Sequence, residues 1–129
     1  MQLANKVAVV TGSAQRIGAT IAATLAARGA AVVVNYRYSA ADAAATVERI
    51  SLDGGTALAL AGDMANAEDV EALFAATLAA FGRVDILVNN ASTFRRTPLE
   101  SLVEADWTDM LDNNLHAARR PALRFGNWM

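Results

Sequence analysis

Val7-Ala8-Val9-Val10-Thr11-Gly12-Ser13-Ala14-Gln15-Arg16-Ile17-Gly18 is the stretch that decides the fold. The continuous apolar run Val7 to Val10 reads as a parallel strand covered on both faces. A glycine-containing turn follows, and Ile17 opens a helical stretch. Strand, tight turn and helix together are how an α/β protein grips the pyrophosphate of a dinucleotide. The N–H groups of a helix's first turn have no partner within the helix. Aligned peptide dipoles add partial positive charge at that end, so an anion is welcome there. Gly12 lets the chain turn sharply, and Gly18 lets helix and strand approach closely.

Strand and helix patterns alternate on either side of this stretch. Ile17 to Ala27 is an Ala-rich helix ending at Arg28-Gly29. Ala31 to Val34 is a second strand, and Ser39 with Asp42 three residues on makes a capping-box-like start to the next helix. That helix stops around Asp53-Gly54-Gly55, and Thr56 to Ala61 is a third strand. Asn66 caps a further helix with Glu68 and Asp69 in its first turn. Val70, Leu73, Phe74, Thr77, Leu78 and Phe81 make one face of it, and Gly82 ends it. Val84, Ile86, Leu87 and Val88 form a fourth strand; a loop runs to Pro98 and a helix from near Glu104 through Leu115. The alternation predicts a parallel sheet with right-handed crossovers.

Composition bounds the partners. The chain has 129 residues, 54% apolar and 19% charged, enough for one compact domain. A net charge of −2 and a pI near 5.3 argue against a nucleic-acid footprint. No apolar run reaches the roughly 18 residues that span a bilayer, so no membrane partner is expected. Cysteine is absent and His116 is the only histidine, which leaves neither a disulfide framework nor a probable zinc site. The N-terminus enters a strand almost directly, without a signal peptide, and the expected location is cytoplasmic.

The second strand leads into Asn35-Tyr36-Arg37-Tyr38-Ser39, with no acid. NAD-selective sites place Asp or Glu there to hold the ribose 2′-hydroxyl. Arg37 instead brings a fixed cation and planar donors suited to a 2′-phosphate. Ser39 adds a hydroxyl at a helix start, and Arg16 lies in the first glycine turn. These residues favour NADPH; the bland alternative makes Arg37 a solvated surface side chain.

At this point the residues resemble the short-chain dehydrogenase/reductase family over nearly all of Lys6 to Leu115. Thr11 to Gly18 matches its Thr-Gly-x-x-x-Gly-x-Gly motif except at Arg16, where the middle glycine is expected. Asn89-Asn90-Ala91-Ser92 stands where the family has Asn-Asn-Ala-Gly. Asp63 matches the position that contacts adenine, and Asn114 matches the catalytic Asn of the following helix. Both departures, Arg16 and the run Ser92-Thr93-Phe94, resemble the pteridine reductase branch. The resemblance implies NADPH contacts from Thr11, Gly12, Ser13, Arg16, Ile17, Gly18, Arg37, Ser39, Asp63, Asn89, Ala91 and Ser92. It implies that Phe94 stacks on a pterin, positioning a flat ring for hydride transfer. The bland reading of Phe94 is a loop aromatic packed on its own domain. A 3-oxoacyl or other carbonyl reductase is the enzyme alternative. Family members are homo-oligomers acting on small molecules.

The family's chemistry also needs a Tyr acid and a Lys four residues later. The Lys cation lowers a phenol pKa that is otherwise about 10. Tyr36 and Tyr38 are the only tyrosines and Lys6 the only lysine, so no Tyr-x-x-x-Lys exists. Asn114 alone cannot run the reaction. After Leu115 the helical pattern fades, Pro121 is expected to break the helix, and Arg119, Arg120 and Arg124 cluster. A shifted reading frame or truncated gene is one account of that tail; a genuine tail, with Phe125 and Trp128 packed on the sheet, is another. The expected fold is a Rossmann-like doubly wound α/β sheet, in the order 3-2-1-4 that the resemblance implies, truncated after the fourth strand and following helix. Residues 1–115 would be an incomplete NADP-binding domain and 116–129 an atypical tail. The fourth strand would be a long apolar edge, prone to pairing, with low stability. The rival class is a non-enzymatic nucleotide-binding fragment. A subunit borrowing catalytic residues from a partner is a third possibility.

Overall fold

The computed structural model describes residues 2–128. Strands β1 (Val7–Val10), β2 (Ala31–Tyr36), β3 (Thr56–Ala61) and β4 (Ile86–Val88) form one sheet of order β3-β2-β1-β4. Every pairing is parallel, with Val10 level with Val34 on one side and Val88 on the other. Helices α1 (Arg16–Ala27), α2 (Ala40–Leu52) and α3 (Ala67–Phe81) follow the first three strands in turn. The strand order reverses at β1, and the crevice beyond the strands' carboxyl ends opens there.

Successive side chains of a strand point to opposite faces, so each central strand feeds two cores. Ala8, Val10, Val32 and Val34 pack with Ala22 and Ala26 of α1 and with Ala43 and Ile50 of α2. Val9 and Val33 pack with Val70, Leu73 and Phe74 of α3 on the other face. Small alanines let α1 lie close to the sheet.

Local signals held unevenly. Asn66 accepts from the Asp69 N–H at 3.0 Å, and Gly82 closes α3 at a φ of 77°. Ser39 occupies the N-cap of α2 but makes no side-chain capping bond, so the expected capping box does not form.

The chain after Pro98 departs most from expectation. A 3-10 turn (Leu99–Ser101) precedes α4 (Glu104–Leu111), a π turn (Asp112–His116) and α5 (Ala117–Trp128). Pro121 does not break the helix; it lies buried inside α5. The carbonyl its ring must avoid, four residues back, is that of Ala117, the first residue after the widened π turn. α5 has an inner face of its own. Ala117 and Phe125 join the core beneath α3, Arg124 grips Glu71, and Trp128 donates to the Val84 carbonyl at 3.1 Å. The fourth strand is an apolar edge of the sheet, as expected, but a short one: it pairs only with β1 and has three residues, each half-buried. Among the described residues, no helix is long and apolar enough to cross a membrane.

Candidate functional site

A cleft of about 330 Å³ opens where the carboxyl ends of β1, β2 and β4 meet the start of α1. Its floor is the glycine turn. Gly12 holds a φ of 59°, and a Cβ there would lie 2.8 Å from Ala91 Cα. A Cβ on Gly18 would lie 2.5 Å from both the Gly12 carbonyl oxygen and Asn90 Nδ2. Both glycines are therefore required by close backbone approach.

Three polar residues brace the turn. Thr11 is fully buried, and its Oγ1 accepts the N–H groups of Asn90 and Ala91, each at 3.0 Å. The Asn90 amide donates to the carbonyls of Thr11 at 3.2 Å and Gly12 at 2.9 Å. Asn35, 2% exposed, accepts from the Gly12 N–H at 3.1 Å and donates to the carbonyls of Leu60 and Gly62. The N–H groups of Gly12 and Ser13 are thus already taken by Asn35, through its side chain and its carbonyl. The donors left for an anion by helix geometry belong to the first turn of α1, at Arg16, Ile17 and Gly18. Arg16 itself has a φ of 56°, the left-handed region that its glycine-preferring position predicts.

The structure brings together Gly12, Arg16, Ile17, Gly18, Arg37, Asp63, Ala91 and Ser92 around the cleft. It places Thr11 and Ser13 beneath it, both fully buried; Ser13 Oγ donates to the Val10 carbonyl at 2.7 Å. Ser39, Asn89 and Phe94 do not line the cleft. Phe94 is 91% exposed on the loop after β4, so it is not packed on its own domain. Asn114 also stands outside the cleft. Its Oδ1 accepts from the Thr93 N–H at 3.2 Å and its Nδ2 donates to the Met110 carbonyl at 3.1 Å. Its amide therefore ties the Ser92–Phe94 loop to the helix. The same loop is pinned by Arg95, whose guanidinium lies 2.5 Å from Asp106 and 3.6 Å from Asp109.

Charge at the cleft mouth centres on Arg37. Its Nη2 lies 3.2 Å from Asp63 Oδ2, its Nη1 donates to Asn113 Oδ1 at 3.1 Å, and it stacks over the Tyr38 ring. Asn35, Asn90 and Asn113 are absent from the sequence-derived set. Asn35 carried a signal, a polar side chain closing the apolar run Val32 to Val34, and Asn90 is the second residue of the Asn-Asn-Ala-Ser motif; Asn113 stood beside Asn114 without a signal of its own.

A family model for short chain dehydrogenases matches residues 6–123. A 3-oxoacyl-[acyl-carrier-protein] reductase of Synechocystis is 44% identical over 113 residues, covering 88% of this chain and 46% of the relative. A short-chain dehydrogenase/reductase homolog of Bacillus subtilis is 44% identical over 105 residues, 81% of this chain and 96% of the relative. A Burkholderia cenocepacia short chain dehydrogenase solved in complex with NADP superposes with a TM-score of 0.94 at 37% identity, over 100% of this chain and 53% of that one. Apart from the Bacillus homolog, the chain spans about half the length of these relatives. Sheet order, glycine turn and matched sequence agree, and the chain belongs to the short-chain dehydrogenase family.

Proposed function

We propose that this chain carries the nucleotide-binding part of an NADPH-dependent short-chain reductase whose substrate is a pterin or dihydrofolate-type heterocycle. The observation that carries the reading is the glycine cradle at the start of α1, with Arg16 and Arg37 on the same cleft. The residues present fit the dinucleotide. Gly12 and Gly18 keep the floor free of side chains, and the first turn of α1 offers N–H groups to a pyrophosphate. Arg37 suits a 2′-phosphate, and Asp63 an adenine amino group. The matched Burkholderia structure, which holds NADP, supports the same choice.

Bound NADPH supplies the hydride that reduces the substrate. The chain's own residues bind and orient: Ser92 lines the cleft, and the exposed Phe94 ring is free to stack on a flat heterocycle. Asn114 holds the backbone between them through Thr93. No phenol is placed to give a proton, since Tyr36 and Tyr38 belong to the end of β2 and Lys6 precedes β1. The chain by itself therefore binds NADPH without turning over. A cytoplasmic setting accords with the lack of cysteine. The Synechocystis relative favours a second reading, reduction of a 3-oxoacyl thioester.

Fluorescence titration with NADPH and NADH tests the nucleotide, and calorimetry of the NADPH complex with dihydrobiopterin or an acetoacetyl thioester tests the substrate class. Tighter binding of NADPH than NADH, followed by dihydrobiopterin binding, is the expected result. Failure to bind NADPH would sink the reading. Acetoacetyl thioester binding alone would favour the second, and NADPH oxidation by the chain alone would refute the account of the missing Tyr and Lys.

A further inference from the structure

Asn113 belongs to no motif by which the family is recognised, yet its side chain is on the cleft wall and holds Arg37. Two partners grip that guanidinium from different elements. Asp63, beyond the end of β3, lies 3.2 Å from Nη2, and Asn113, in the π turn, accepts from Nη1 at 3.1 Å. They differ in charge. Asp63 offsets part of the cation it holds. Asn113 takes one N–H and leaves the charge intact. A guanidinium presents five N–H groups in one rigid plane, so further donors remain for a phosphate only if the plane is aimed at it. Arg37 is about two-fifths exposed on a long side chain, and with Asp63 alone the fork is free to pivot about that carboxylate.

We infer that Asn113 is a positioning residue for dinucleotide selectivity, fixing the plane of Arg37 so that its remaining N–H groups face a ribose 2′-phosphate. The inference rests on the NADPH reading given above. The π turn makes the arrangement possible by sending consecutive amides in two directions: Asn113 to Arg37, and Asn114 to Thr93 of the loop after β4.

The test is the affinity of the intact chain for NADP+ and NAD+, measured by calorimetry for wild type, Asn113→Ala, Asn113→Ser, Arg37→Ala and the double variant Arg37→Ala/Asn113→Ala. Asn113→Ala is expected to reduce the preference for NADP+ over NAD+ about three- to tenfold, the scale of one ordinary hydrogen bond, since the pair is solvent-exposed. Asn113→Ser keeps an acceptor oxygen and retains more of the preference; it also serves if the alanine variant does not fold. In the Arg37→Ala background the Asn113 substitution should change nothing further. An equal fall for both dinucleotides, or an undiminished effect without Arg37, overturns the inference. A wild-type chain with no preference for NADP+ overturns the NADPH reading itself, and this inference with it.

Discussion

The side-chain amide of Asn90 donates to the carbonyl of Gly12 at 2.9 Å, joining residues 78 positions apart. A second bond from the same amide, to the Thr11 carbonyl, fixes the glycine turn against the end of β4. Asn90→Ala leaves both carbonyls without this donor and should cost about 1–3 kcal/mol. Asn90→Asp should cost more, because it points a carboxylate at two carbonyl oxygens. Urea unfolding at neutral pH measures both; equal stability of the two variants would contradict the assigned donor role.

Gly18 has no room for a side chain. A methyl group there meets the Gly12 carbonyl oxygen at 2.5 Å and Ser13 Cα at 2.7 Å, both backbone atoms that cannot swing aside. Gly18→Ala is expected to destabilise the fold by about 1–3 kcal/mol as overpacking and to displace the cleft floor. A thermal melt at the wild-type midpoint would show that the turn yields more easily than its packing implies.

Arg16 separates stability from binding. Its φ of 56° costs an L-residue roughly 1–2 kcal/mol, a penalty glycine escapes, although glycine loses more chain entropy on folding. Arg16→Gly should hold or raise the melting temperature while weakening NADPH binding several-fold through loss of the cation. Loss of stability together with unchanged NADPH affinity would reverse the assignment.

Val7 and Asp85 exchange two hydrogen bonds. The Val7 N–H donates to Asp85 Oδ2 at 2.9 Å, and the Asp85 N–H donates to the Val7 carbonyl at 2.8 Å. The Arg83 guanidinium, bonded to both carboxylate oxygens, holds the Asp85 carboxyl below its usual range, against partial desolvation and with help from the Val7 N–H. A depressed folded pKa stabilises the fold above the unfolded value of about 3.9, and that contribution is lost as pH falls through the lower folded value. The difference in unfolding free energy between wild type and Asp85→Asn should therefore be constant from pH 7 to about 5 and shrink below pH 4. A difference independent of pH would show that the carboxylate's charge contributes nothing.

The last helix is part of the core. Ending the chain after His116 removes Ala117, Pro121 and Phe125 from beneath α3 and the Trp128 bond to Val84. Complete burial is worth about 1.5–3 kcal/mol for a Phe side chain and about 0.8 kcal/mol per methylene-sized group, so with Phe125 partly buried the shortened chain should lose about 2–3 kcal/mol. Denaturant midpoints compare the two chains; coincident midpoints would mean that α5 rests on the sheet without stabilising it.

The 3-2-1-4 order and half of the residues around the cleft came with the family resemblance; the sequence by itself determined the strand–helix alternation as far as β4, the parallel sheet and the glycine turn. Those features rest on local physics: apolar runs that must be buried, the Asn66 cap, the Gly82 stop, and a turn that tolerates only glycine at Gly12. What only the tertiary structure decided lies in meetings between distant residues. Asn35 reaches Gly12, Asn90 reaches Thr11, and Asn113 reaches Arg37 only after β1, β2 and β4 have aligned their carboxyl ends. The same holds for the tail. Pro121 forbids an ordinary helix locally, but the π turn before it and the α3 surface beneath it outweigh that preference once packing energy enters.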